Sequence, residues 1–304
     1  MIRQDLARYV NLKRSLGFKL HRQHTLLRGF VAFAEERGDR HIKSARVLEW
    51  ATLAPSPAQR RNRLLEVRRF ALAMHAENAR HQVPAADAIG NVVFNRPSPY
   101  IYRAQDITRL VQAAADLRPA GTIKPLTYST LFGLLAATGM RISEALALQV
   151  DDVTADGLLI RDTKFHKSRL LPLHATTQLV LDRYLSARCQ MGAANSALFV
   201  SITSKRLPYT TVHGAFLRLL DHIGLRRAHS GRDPRIHDLR HTFAVRSLEQ
   251  CRHDSDAVTQ HVMALSTYLG HAHVSDTYWY LQATPLLMGQ IAEAGEALMI
   301  GGAP

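Results

Sequence analysis

Cysteine is nearly missing from this chain. Its 304 residues hold two, Cys189 and Cys251, with no Cys-x-x-Cys pair, which excludes a disulfide framework and a cysteine-rich zinc site. Long apolar runs are missing too. The longest, LFGLLAATGM over residues 131–140, is well short of the roughly 20 residues that a membrane span needs, and it runs straight into Arg141. Residues 1–20 are charged throughout and contain no continuous apolar core of the kind a secretory signal requires. Acidic side chains are scarce relative to basic ones: 25 Asp and Glu stand against 39 Lys and Arg, a formal charge of +14. The expectation is a soluble, cytoplasmic protein without a membrane partner, carrying a positive surface suited to a polyanion, of which nucleic acid is the commonest. The basic residues are interspersed with apolar ones at helical spacing, so that surface belongs to folded structure and not to a charged tail.

The length suits two domains. Between Leu6 and Arg37 apolar residues recur at helical spacing, with a break near Gly17. Ser44 is placed to cap a short helix through Trp50. From Ser56 the string SPAQRRNRLLEVRRFALAMHAENA reads as a long amphipathic helix. Its Arg60, Arg61, Arg63, Arg68 and Arg69 cannot all be core, and few acids intervene, so this face is read as a phosphate-contacting surface, with Arg60, Arg61 and Arg68 as DNA contacts. The stretch NRPSPYIY, with Pro97 and Pro99, disfavours helix and marks a short linker. The expected division is a helical domain over 1–95, a linker over 96–103 and a mixed domain over 104–304. In the second part helices are expected from Asp106 to Leu117, from Pro125 to Thr138 and from Thr176 to Cys189. The run DDVTADGLLIRDTKFHKSRLLPL has the pattern of a small antiparallel sheet whose turn carries Lys164, His166 and Lys167. A short strand is expected at Leu198–Ser201, and helices beyond Tyr209. The fold class is therefore mainly α with a small antiparallel β-sheet.

One stretch, Arg235 to Leu281, concentrates His237, Arg240, His241, His271, His273 and the phenols of Tyr268, Tyr278 and Tyr280. Buried His and Arg each need partners to offset desolvation, so such crowding is unusual for a plain core helix. If DLRHTFAV is helical, His237, Arg240 and His241 project to one side. Arg141 stands far upstream at a helix junction, after Gly139. Fixed guanidinium groups, a lysine and a histidine around one point suit a phosphodiester under attack, because charge builds on its non-bridging oxygens. No Ser/His/Asp arrangement and no carboxylate cluster for Mg²⁺ accompanies them, whereas tyrosines do. His237 and His241 have helical metal-ligand spacing, but no HExxH glutamate or cysteine supports zinc. Glu144 is open to pairing with Arg141 or to a plain helix-surface role.

The strings themselves are more specific. ATGMRISEALAL resembles the first arginine box of the tyrosine recombinase (phage integrase) family, IHDLRHTFA resembles its HxxR box, and LGHAHVSDTYWY resembles its terminal histidine and tyrosine. TKFHKSRLLPL, between them, resembles the β-hairpin that carries its lysine. Four such boxes in one order are a strong signal, covering roughly the second two-thirds of the chain. The resemblance implies a helical core-binding domain and a mixed α/β catalytic domain forming a C-shaped clamp on DNA. It implies that Arg141, Lys164, His237, Arg240 and His271 activate the phosphate and that Tyr280, nine residues after His271 as in the family, is the nucleophile. Lys167 and Arg169, on the same hairpin, are taken as DNA contacts. Tyr268 and Tyr278 are left as packing or phosphate-positioning phenols, and His241 and His273 as support.

The resemblance implies a site-specific recombinase or integrase acting through a 3′-phosphotyrosyl intermediate, with no cofactor. Its partners would be double-stranded DNA with specific recombination sites, a homo-tetramer assembled on it, and partner recombinases. STYLGH and DTYWYLQATP look like transposon-encoded members; the segment Pro285–Ile300, which in relatives often docks on a neighbouring protomer, is left open between docking in cis and in trans. Type IB topoisomerase chemistry and a non-catalytic DNA-binding regulator are the alternative readings.

Overall fold

The computed structural model describes residues 2–90, 99–161, 168–192, 195–226, 233–250, 255–271 and 273–281, without the side chains of 255–257, 278, 279 and 281. The chain divides into two compact units, Met1–Pro97 and Ser98–Pro304. Among the described residues, no helix is long and apolar enough to cross a membrane.

Among its described residues the first unit contains four helices: α1 (Ile2–Ser15), α2 (His21–Glu35), α3 (Ser44–Thr52) and α4 (Pro57–Glu77). The break at Gly17, where φ is +87°, separates α1 from α2. Ser44 is the first residue of α3, which has Lys43 and not Ser44 at its N-cap. Ser56 does cap α4: its side chain accepts a hydrogen bond from the Gln59 amide, and Pro57, which has no amide hydrogen to lose, occupies the first turn. Phe30, Trp50, Leu64, Val67 and Phe70 meet in the core of the bundle. The arginines of α4 differ in what they do. Arg60 donates to the Ala54 carbonyl, Arg68 to the Pro84 carbonyl and Arg63 to the Trp50 carbonyl, while Arg69 pairs with Glu66. Arg63 also lies over the Trp50 ring. Arg61 engages no partner among the described residues.

The second unit runs α5 (Ala104–Ala115), α6 (Ile123–Thr138), α7 (Ile142–Ala147), a three-stranded antiparallel sheet, α8 (Ala175–Gln190), α9 (Tyr209–His222), α10 (Ile236–Glu249), α11 (Ser255–Leu269) and α12 (Ser275–Leu281). The sheet has order β1 (Val153–Thr154), β2 (Gly157–Ile160), β3 (Arg169–Leu171), with Leu158 opposite Leu171 and Ile160 opposite Arg169. Leu158, Ile160 and Leu171 point inward to a core shared with Phe132, Tyr184, Phe199 and Phe216. The strand expected at Leu198–Ser201 does not form. Ala197 and Val200 make only isolated bridges, to Gln149 and Arg206, because the Leu198 and Val200 main chain is also tied to the Tyr184 hydroxyl.

Tyr102, inside the stretch read as linker, is fully packed in this unit. Its amide donates to the Thr242 hydroxyl, its own hydroxyl to the Arg235 carbonyl, and its carbonyl accepts from Arg246. Three bonds thus fasten the segment before α5 along α10, the helix on which the histidines and arginine of the HxxR box are placed. At the far end of α6, Gly139 adopts φ +61°, and a Cβ there would lie 2.5 Å from the Phe243 ring, so this C-terminal turn requires glycine.

Candidate active site

α10 starts at Ile236 because Asp238, in the first turn, turns back to accept hydrogen bonds from the Arg235 amide and guanidinium. From that fixed start His237, Arg240 and His241 fall on one side. His237 reaches solvent, while Arg240 and His241 are buried. The 2 % exposed Arg240 donates to the Gly139 carbonyl at 2.9 Å and to the Leu269 carbonyl at 2.8 Å. Arg141, at the start of α7, reaches the same Leu269 carbonyl at 3.4 Å and the Gly270 carbonyl at 3.1 Å. These acceptors are end groups of α6 and α11, where helical geometry leaves carbonyls unpaired and the helix dipole is negative. Two guanidinium groups 99 positions apart therefore share one carbonyl oxygen.

Like charges so placed need compensation, and Glu144 supplies it. Its carboxylate accepts from the Arg141 amide at 2.9 Å and guanidinium at 2.8 Å, and from both ends of the Arg169 fork at 3.2 and 2.9 Å. Burial alone would raise the Glu144 pKa, but hydrogen bonds from Arg169 and Arg141 outweigh it and hold the carboxyl below its ordinary range. Arg169 also donates to the Tyr268 carbonyl. Its guanidinium, taken as a DNA contact on the basic hairpin, faces inward and is committed to Glu144. Burial, then the neighbouring Arg141, lower the Arg240 pKa to about 10, which leaves it cationic at neutral pH.

His271 follows the C-terminal turn of α11, where its amide closes on the Ser266 carbonyl. Its Nδ1 lies 2.7 Å from the hydroxyl of fully buried Thr277, and its ring stacks on that of Tyr280 at 6.1 Å and 19°. Burial, followed by Arg240 and Arg141, lowers His271 to about 4. Desolvation, then Arg240 and Arg235, also lower His237, but the residue is exposed to solvent, which softens that shift. Tyr280, 2 % exposed, packs among Ala244, Val245, Leu265 and Leu269, and its hydroxyl lies 3.1 Å from His241 Nδ1.

Arg141, His237, Arg240, His271 and Tyr280 thus stand within one interlocking set. Lys164 and Lys167 fall outside the described residues, as do the side chain of Tyr278 and the segment Pro285–Ile300. Tyr268 is a packing residue, stacked on Phe243 at 5.5 Å. His273 is exposed. Sequence reasoning did not find Thr277, whose contact with His271 spans a turn between two elements, or the carbonyl groups that hold the arginines.

Residues 101–286 match the phage integrase family as a whole. The candidate integrase/recombinase y4rB of Sinorhizobium fredii is 41% identical over 299 residues, covering 94% of each chain. The tyrosine recombinase XerD of Bifidobacterium longum is 27% identical over 296 residues, covering 92% of this chain and 85% of its own. Among solved structures, a lambda integrase tetramer bound to a Holliday junction shares the fold with a TM-score of 0.61 at 18% identity, over 90% of this chain and 77% of that one. With the family match spanning this site and a relative 41% identical over nearly the whole chain, the chain belongs to the phage integrase family of tyrosine recombinases.

Proposed function

We propose that the chain cleaves and rejoins duplex DNA at specific sites, with Tyr280 attacking the scissile phosphate to form a 3′-phosphotyrosyl link and release a 5′-hydroxyl. The observation that carries this reading is the shared Leu269 carbonyl, which sets Arg141 and Arg240 side by side next to the stacked rings of His271 and Tyr280. Each arginine is held by only part of its donor fork, so fixed N–H groups remain to receive the non-bridging oxygens as charge builds on them. Because these donors are already oriented, little reorganisation accompanies attack.

The low pKa values assign His237 and His271 a different part from that of cations. At neutral pH both imidazoles are neutral and would bind phosphate as hydrogen-bond donors. His271 Nδ1 is engaged by the Thr277 hydroxyl, which leaves Nε2 as the nitrogen for the phosphate; it donates there in the tautomer in which Thr277 donates to Nδ1. Lys164, carried over from the family's hairpin box, would protonate the departing 5′ oxygen. A 5′-hydroxyl of a second duplex then attacks the phosphotyrosyl link, restoring the DNA backbone and freeing Tyr280. Exchange between two duplexes needs four active sites, in keeping with a homo-tetramer, and the tetramer of lambda integrase on a Holliday junction supports that stoichiometry. The two terminal motifs, STYLGH and DTYWYLQATP, favour a transposon-encoded element as the DNA substrate. The first unit would add affinity through α4, with Arg61 as its uncommitted cation among the described residues. No observation favours topoisomerase activity or a purely regulatory role.

Three measurements test this reading. A nicked suicide duplex built from the DNA flanking the gene should yield a denaturation-resistant protein–DNA adduct with the wild-type chain and none with Tyr280→Phe; an adduct that persists in the variant removes Tyr280 from the role. Arg61→Glu should weaken duplex binding and reduce the slope of log affinity against log salt by about 1; unchanged affinity and slope would mean that this face of α4 meets only water. The neutral His271 imidazole has a signature in stability. His271 falls from 6.5 to about 4 on folding, so between those values the unfolded chain binds a proton that the folded chain does not. Stability therefore rises with pH through that window and is lost on acidification from 6.5 towards 4. Thermal melts across it should show a shallower pH dependence for His271→Gln than for the wild type, and equal slopes would place the His271 pKa at its ordinary value.

A further inference from the structure

His241 belongs to none of the roles the family boxes assign, yet its Nδ1 lies against the oxygen proposed to react. We infer that His241 is the catalytic base that takes the proton from Tyr280, oriented by Asp238, and this inference rests on Tyr280 being the nucleophile. Three features of the geometry lead there. The Tyr280 ring is buried, so its hydroxyl proton has no direct route to bulk water and must pass to a neighbouring acceptor. His241 Nδ1 lies 3.1 Å from that hydroxyl, within the reach required of a general base. His271, by comparison, stacks on the tyrosine ring and has its Nδ1 engaged by Thr277.

The far side of the His241 ring completes the arrangement. Nε2 lies 3.9 Å from Asp238 Oδ1, beyond hydrogen-bond length but within ion-pairing distance once the ring is charged. Asp238 is itself 1 % exposed and held by the Arg235 amide and guanidinium, so the carboxylate cannot turn away. A carboxylate facing Nε2 favours the tautomer with its proton there, leaving the Nδ1 lone pair towards Tyr280. His237 packs edge-on against His241 at 4.6 Å and 85°, which limits rotation of the ring. Asp238, His241 and Tyr280 thus form a relay along one side of α10, using positions that also serve the helix cap and the core.

The step balances as follows. As the bond from Tyr280 Oη to phosphorus forms, the phenolic proton passes to His241 Nδ1, giving an imidazolium opposite Asp238. The bond from phosphorus to the 5′ oxygen breaks, its electron pair stays on that oxygen, and the oxygen takes a proton from the acid on the leaving side. In rejoining, the attacking 5′-hydroxyl returns its proton to the same leaving-side group, now deprotonated, and the proton on His241 returns to Tyr280 as the phosphotyrosyl bond breaks.

The test uses the full chain and the nicked suicide duplex built from the flanking DNA, and reads the rate of adduct formation. Tyr280→Phe is run alongside: an adduct in that variant overturns the nucleophile assignment, and with it the premise for His241. Given a silent Tyr280→Phe, both His241→Ala and His241→Gln should slow adduct formation by about 10²-fold or more, the usual contribution of a general base. Gln keeps a hydrogen-bonding side chain without accepting a proton, so it decides the matter if Ala fails to fold. Replacing Tyr280 by 3,5-difluorotyrosine, a more acidic phenol, should shrink the deficit of the His241 variants to less than about 10-fold, because less help is needed to remove the proton. Wild-type or faster rates in the folded His241 variants would overturn the assignment, as would a deficit that fluorination leaves unchanged, since a packing role would not respond to phenol acidity.

Discussion

The carbonyl oxygen of Leu269 is the point on which the site depends. It is an end group of α11, left without an intrahelical partner by the geometry of the helix, and it accepts hydrogen bonds from both Arg141 and Arg240. Neither arginine could fix the other, since their charges repel. Backbone carbonyls at helix ends can hold both because they are rigid, partly negative and cost no side-chain entropy. Gly139 and Gly270 have positive φ at the ends of α6 and α11, and their carbonyls take the remaining bonds. A side chain at either would also meet Phe243 or the Arg169 guanidinium at under 3 Å. The turn residues that end two helices therefore also determine where phosphate-binding cations stand.

Around that point the charge is graded. Glu144 balances Arg141 and is itself balanced by Arg169, which spends its fork on the carboxylate. Arg240 is deeper and has no carboxylate partner among the described residues, only carbonyls, so it keeps more of its positive field for an incoming anion. The same field, added to burial, lowers the pKa of His271. Hydrogen-bond donors without extra charge thus surround a pair of fixed cations, an arrangement suited to a phosphate whose charge redistributes during attack.

Much of this was legible in the residues. The positions of α1, α2, α4, α5, α6 and α8 follow from helical spacing and punctuation by glycine and proline, and the family boxes pointed to Arg141, His237, Arg240, His271 and Tyr280 before any fold was available. What could not be read depends on long-range contact. Arg169 looked like another surface cation of a basic hairpin, and only folding reveals that Glu144, 25 positions earlier, claims it. Tyr102 looked like linker because the prolines near it break helix, but its partners Arg235, Thr242 and Arg246 are more than a hundred residues away. The strand expected at 198–201 failed because a side-chain hydroxyl, that of Tyr184, competes for its main-chain groups. Helix-end carbonyls leave no mark on a sequence beyond the glycine that follows them.

The whole account turns on one bond, between Tyr280 and the 3′ phosphate of a cleaved strand, and mass spectrometry can locate it. Adduct formed on the suicide duplex would be digested with nuclease and protease and the modified peptide sequenced. The expected result is a nucleotide joined through its 3′ phosphate to Tyr280. A nucleotide on Tyr278, Tyr268 or any other residue, or one joined through its 5′ phosphate, would contradict the account.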